Sequence, residues 1–209
     1  MPLSEPAPRE KLHTRTLVLE GFRRDDGFYD IEARLADTKT YAFANEDRGE
    51  IPPGVPLHGM LMRLTVDEDL TVIACEAETE HSPYAICPAI TPNFARLAGL
   101  RIGPGWTRKV REVVGGVRGC THLVELLGPM ATVAFQTLAP ARRKRGEAAS
   151  ATSPVPPPLI DTCHAYAADG PVVARRWPEH ARPRDHSAGL PARKTGIDTE
   201  RVPEPDPRE

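Results

Sequence analysis

Apolar residues alternate with polar ones through 28–35, where Tyr29, Ile31, Ala33 and Leu35 fall on one face of an extended chain. The β-rich run 14–19 precedes it across the Asp25-Asp26-Gly27 turn, and the two read as an antiparallel hairpin that 41–43 extends. Residues 45–53 read as a charged loop closed by Pro52 and Pro53. A second hairpin follows. In 57–66, His58, Met60, Met62, Leu64 and Val66 share a face; in 70–79, Ile73, Cys75 and Ala77 do. Cys75 is then a small buried hydrophobe.

Beyond residue 80 the period changes. Pro83 and Pro88 keep 81–88 out of regular structure, and Thr91 with Pro92 opens a short helix that Gly99 ends. A second helix occupies 103–114. A third, over 121–138, carries an apolar stripe of Leu123, Leu126, Leu127, Met130, Val133, Ala134 and Leu138, with a break expected at Gly128-Pro129. The fold class is therefore α+β: an antiparallel sheet of two hairpins, then helices packed on one face. Residues 1–11 form an N-terminal tail and 12–139 the domain. Residues 140–158 are a Pro-rich, basic linker, 159–178 a small segment docked on the domain, and 179–209 a disordered tail.

Composition narrows the function classes. The formal net charge of the 209 residues is −2 and aromatic residues make up 5%, which argues against a nucleic-acid surface. The cluster Arg142-Arg-Lys-Arg145 reads as solvated surface. No apolar run approaches the roughly 18 residues a membrane span needs, and 1–9 lack the core of a signal peptide, so the expected compartment is the cytoplasm. There, four widely spaced cysteines are ligands, reactive thiols or buried residues rather than a disulfide framework.

The chemistry is concentrated in Val114-Gly-Gly-Val-Arg-Gly-Cys-Thr-His-Leu123. Cys120 stands at the mouth of the long helix, where free N–H groups and the helix dipole favour an anion. Cys87 lies in the Pro-flanked turn, Cys163 beside His164, His58 at a strand start, and His122 two residues after Cys120. Thiolates and imidazoles together suit zinc or an iron–sulfur cluster. Cys120 and His122 meet at one metal only if Cys120 precedes regular helix, because a spacing of two puts side chains on nearly opposite helix faces. The nucleophile elbow, the phosphate loop, HExxH and GxGxxG are all missing. Two alternatives stay open: a thiol enzyme with Cys120 as nucleophile, and a non-catalytic binding domain with buried thiols.

Six blocks occur in order: Gly21-Phe-Arg-Arg-Asp-Asp-Gly-Phe-Tyr-Asp-Ile-Glu32, Leu35-Ala-Asp-Thr-Lys39, Leu57-His-Gly-Met60, Ser82-Pro-Tyr-Ala-Ile-Cys87, Gly119-Cys-Thr-His-Leu123 and Asp161-Thr-Cys-His-Ala165. Over residues 17–178 they resemble a bacterial family catalogued as a domain of unknown function, which implies no activity. The order of elements over 57–138 is also similar to the NifU-like iron–sulfur cluster scaffold proteins, in which cysteines after a strand and at the start of a late helix converge. That resemblance implies Cys87 and Cys120 as ligands, with His58 or Cys163 as substitutes for the missing one, and a protein partner for metal or cluster transfer; the leading expectation is a metal- or iron–sulfur-binding accessory protein with Cys87, Cys120 and His58 as ligands and Cys163 or His122 completing the set. The scaffold's first Cys-Gly-Asp motif is absent, and His58-Gly59 stands nearest to it.

Overall fold

The structure, a computed structural model, describes residues 3–149 and 159–183. The chain divides into two units, residues 1–150 and 151–209. The first unit is α+β. Four antiparallel strands, β1 (His13–Arg23), β2 (Tyr29–Lys39), β5 (Pro56–Val66) and β6 (Val72–His81), lie in the order β1-β2-β5-β6. Between β2 and β5, β3 (Phe43–Asn45) pairs with β4 (Gly49–Ile51). This small ribbon stands where a loop was expected over 45–53. Phe43 belongs to it rather than to the first hairpin, and Ile51 is buried beneath it.

The alternation in β2 is realised as read: Tyr29, Ile31, Ala33 and Leu35 are buried, and they face Val66, Leu64, Met62 and Met60 of β5 in register. In β6, Cys75 is buried, but Ile73 is 45% exposed, contrary to expectation. The pairing passes from Val66↔Val72 to Thr65↔Ala74, so Ile73 is the extra residue of a β-bulge. A bulge inverts the alternation on one side of itself. Val72, not Ile73, therefore faces the core.

The helices lie on one face of this sheet. A 3-10 helix, Cys87–Leu97, buries Phe94 and Leu97 against β6. It starts at Cys87, four residues before the expected cap. Helix α1 (Trp106–Val114) follows, then α2 (Thr121–Ala149). The expected break at Gly128-Pro129 does not occur. Proline disfavours helix at the preceding residue through clashes with that residue's N–H and Cβ, and Gly128 lacks the Cβ, which removes one of the two. Trp106 adds a tie here, its indole N–H donating to the Leu127 carbonyl at 2.9 Å. Helix α2 also runs through Pro140 to Ala149, into the stretch read as linker. Residues 150–158 and 184–209, which hold the rest of that linker and most of the tail, lie outside the described residues. By length and composition alone, residues Thr121–Arg142 could cross a membrane. Here Leu123, Leu126, Leu127, Met130, Ala134 and Leu138 of their apolar stripe are buried in the core, and Val133 packs against it partly buried.

In the second unit, α3 (Pro171–Arg176) follows a 3-10 turn at His164–Tyr166. Asp161 accepts the Ala168 N–H at 2.9 Å, Tyr166 lies 5.9 Å from Trp177 between ring centres, and Cys163 is exposed.

One contact sets how closely α2 lies on the sheet. A Cβ placed on Gly21 of β1 would sit on the Thr137 hydroxyl of α2. Gly21→Ala is expected to destabilise the protein by about 1–3 kcal/mol through overpacking. Combining it with Thr137→Ala should recover part of the loss in a double-mutant cycle of denaturant melts. Simple additivity would show that the two positions do not touch.

Candidate functional site

A charged residue interrupts the apolar face of β2. Asp37 continues the inward series of Ile31, Ala33 and Leu35, and only 3% of it is exposed. The sheet supplies its partners directly: Arg15 of β1 pairs across from Asp37, and Asp37 pairs across from His58 of β5. A bulge immediately beyond, where Thr38 pairs with Pro56 and Leu57 is the extra residue, fixes the turn of the chain next to His58.

Arg15 grips Asp37 with two bonds, Nε to Oδ1 at 2.8 Å and Nη2 to Oδ2 at 2.7 Å. His13 Nε2 lies 3.1 Å from Oδ1 and His58 Nδ1 lies 3.0 Å from Oδ2. The remaining Arg15 amine reaches Glu125 of α2. The first turn of α2 covers the group. His122 Nε2 lies 4.0 Å from Asp37 Oδ2, and the His122 and His58 rings stack with centroids 3.7 Å apart and an interplanar angle of 31°. Cys120 immediately precedes α2 and its carbonyl accepts the Val124 N–H, so its side chain is free of the helical spacing. Its Sγ is 3.9 Å from His122 Nδ1. Among the described residues, Asp37, His58 and His122 form the one group of three or more such side chains with metal-ligand spacing, their ligand atoms all within 4.8 Å of one another.

The charge states follow from the surroundings. Burial works to raise the Asp37 pKa, but the bonds and charge of Arg15, with the His58 and His13 bonds, outweigh it and bring the carboxyl down to about 2. Burial lowers the His58 pKa first and the neighbouring His122 lowers it further, against the pull of Asp37. Burial also lowers His122, with Arg15 acting in the same direction. At neutral pH the core of the site is one carboxylate, one guanidinium and two stacked neutral imidazoles. Neutral imidazole is the form that binds metals and accepts protons.

Of the five ligand candidates read from the sequence, the structure brings His58 and His122 together and sets Cys120 beside them. Cys87 is the first residue of its 3-10 helix and is half-buried, outside the group. Cys163 belongs to the second unit. Cys75, pushed up to about 12 by burial and then by Glu76, is inert. The sequence reading missed Asp37, Arg15, His13 and Glu125. A signal was present for one of them: Asp37 follows Ile31, Ala33 and Leu35 on the buried face of β2, where the preceding inward positions are all apolar.

Both kinds of group destabilise the fold on acidification. Asp37 has a folded pKa below its unfolded value, so its stabilisation is complete above the unfolded value and is lost as pH falls through the folded one. That is about 2 kcal/mol, lost between roughly pH 4 and 2. The two depressed histidines add a loss that begins earlier, below roughly pH 6.5, because the unfolded chain protonates first. Urea melts across pH 7 to 2 should show both steps. In Asp37→Asn the lower one should disappear.

A family model described as a protein of unknown function (DUF2889) matches residues 13–136. The match spans every residue of the cluster, from His13 to Glu125, and excludes Cys163. No curated protein matches the chain, and no solved structure does.

Proposed function

The chain belongs to the DUF2889 family of proteins of unknown function, and we propose that it is a metal-binding protein with His58, His122 and Asp37 as ligands to a single divalent ion. The observation that carries this reading is the spacing. Tetrahedral bonds of about 2.0–2.1 Å put ligand atoms roughly 3.3–3.4 Å apart. His58 Nδ1 and His122 Nε2 stand 3.0 and 4.0 Å from the same Asp37 oxygen, on either side of that figure. Binding would require the His58 N–H to pass from Nδ1 to Nε2, and the ion would take its place against Oδ2. Two imidazoles and a carboxylate suit zinc or ferrous iron. They favour a mononuclear ion over an iron–sulfur cluster, which calls for more thiolates than Cys120 alone. Cys120, beside Nδ1 of His122, would hold that ring's orientation in the way outer partners of metal-binding histidines do. Three protein ligands leave a coordination position for water or for a group from another molecule. An accessory role in the cytoplasm, handing the ion to a protein partner, is consistent with that open position.

A second reading rests on another pair of distances. Cys120 Sγ, His122 and Asp37 form a chain of 3.9 and 4.0 Å steps, the order of a thiol nucleophile, its base and the group that orients the base.

Elemental analysis of protein titrated with zinc and with ferrous iron tests the first reading. One ion per chain is expected. His58→Ala and His122→Ala should each lower affinity by about 10-fold to 1000-fold, whereas Cys87→Ser and Cys163→Ser should leave it unchanged. Full occupancy in both histidine variants would rule the site out. Iodoacetamide labelling of Cys120 separates the readings. A base-activated thiol slows in His122→Ala whether or not chelator is present, while an orienting thiol changes rate only with metal loading.

A further inference from the structure

The two edges of the four-stranded sheet differ. The β6 edge is protected. At its start the Val72 N–H donates to the Leu100 carbonyl and the Gly99 N–H to the Val72 carbonyl, both at 2.8 Å, and Thr71 bridges to Arg101. The bulge at Ile73 disturbs the strand, and Glu76, Glu78 and Glu80 stand exposed along it. Covers, bulges and rows of charge keep a sheet edge from pairing with another chain.

The β1 edge has neither cover nor bulge. Its 11 residues pair with β2 from His13↔Lys39 to Arg23↔Tyr29 without a shift, and proline is absent. Among the described residues, no backbone hydrogen bond of His13–Arg23 reaches beyond β2. Every second residue of an edge strand turns its N–H and C=O outward, so about five residues of β1 leave these groups to water. The side chains are not those of a solvated edge either. Leu17, Val18 and Phe22 are 37%, 47% and 45% exposed.

We propose that β1 pairs antiparallel with β1 of a second copy of this chain, about a two-fold axis through Val18, so that one sheet continues into the other. The strand's own charges argue for this occupant. Arg15, Leu17, Leu19 and Gly21 lie opposite the inward residues of β2, whereas Thr14, Thr16, Val18, Glu20 and Phe22 lie on the other face. An axis perpendicular to the sheet sets residues of one face against the same face, so it must pass through a residue. Centred on Val18, the whole strand pairs. Leu17 meets Leu19, Thr16 meets Glu20, Arg15 meets Gly21, Thr14 meets Phe22 and His13 meets Arg23. No carboxylate then stands directly opposite a carboxylate, and no arginine opposite an arginine. An axis through Leu19 would set Arg15 against Arg23, and one through Glu20 would set that carboxylate against itself; like charges directly opposite destabilise a strand pair. An axis through Leu17 would leave Phe22 and Arg23 unpaired. The inference goes beyond the metal reading and does not depend on it, since Asp37, His58 and His122 lie on β2, β5 and α2.

Sedimentation of the full chain over about 1 to 100 μM tests this, and a reversible monomer–dimer equilibrium is expected in that range. Val18→Glu, at an exposed position, sets two carboxylates on the axis and should weaken the dimer at least about tenfold while the thermal melt stays cooperative. Cross-linking reads the register. Directly opposite residues have Cα atoms about 4.5–5.5 Å apart, within the span of a disulfide, so Val18→Cys should give a linked dimer under mild oxidation. Thr16→Cys and Glu20→Cys should each cross-link no faster than the wild-type chain, and should cross-link to each other when mixed. A monomer throughout the range would overturn the proposal and leave the edge to a different partner. So would a dimer that Val18→Glu leaves intact, or cross-linking indifferent to position. The metal titration of the histidine variants stands or falls separately from all of these outcomes.

Discussion

A carboxylate with 3% of its surface exposed, at the end of a sheet, is the constraint to which this fold answers. An isolated buried charge is prohibitive, so Asp37 requires donors from every direction that water would otherwise have occupied. The sheet supplies two of them by register alone, Arg15 on one side and His58 on the other. His13 reaches the second oxygen from the strand start. What the sheet cannot supply is a cover, and the first turn of α2 provides it with His122 and Glu125. The position of α2 is in turn set by Gly21 and Thr137 further along, where helix and strand approach too closely for a Cβ. The geometry of the cluster is therefore a consequence of how the core packs, and it is stiff for that reason.

The same constraint explains why the imidazoles are chemically interesting. Two histidines stacked at 3.7 Å would repel each other if both were charged. Burial keeps them neutral even though a carboxylate lies beside them; His122 adds to the effect at His58, and the Arg15 charge acts in the same direction on both rings. A guanidinium cannot be deprotonated in this range, so it neutralises Asp37 without competing for the histidine nitrogens as metal donors. The arrangement separates two roles that a lone Asp–His pair confounds: fixing the rings, and deciding their charge.

The sheet was legible because period-2 alternation is a direct statement of which face is buried; 29–35 makes it without interruption, and 60–66 makes it with one apolar outward position, Leu61. It failed where the backbone adds a residue. Ile73 has the composition of a core position and lies on the surface because of a bulge that leaves no composition signal. Helix α2 was read as shorter and broken, since proline rules weigh the proline rather than the packing around it; Gly128 removes one of the two clashes at Pro129, and the helix continues through Ala139-Pro140 without that relief. The site was half legible. His58, His122 and Cys120 were found as metal-type residues. Their partner was not, because a search for thiolates passes over an aspartate. The signal lay in a charge at an inward strand position, and within 31–37 Asp37 alone carries it.

Cys120 shows how position rather than residue type assigns a role. Read on the sequence, its place at a helix mouth makes it the centre of a thiolate site with Cys87. In the structure its sulfur meets the His122 imidazole instead, at Nδ1, and leaves Nε2 of the same ring toward Asp37. A thiol so placed acts on a metal through the orientation of that ring rather than as a ligand. With Cys120 shortened to alanine, the ligand atoms of His58, His122 and Asp37 would remain and only the hold on the His122 ring would be lost, so a metal titration of that variant isolates what the sulfur contributes from what the three ligands do alone.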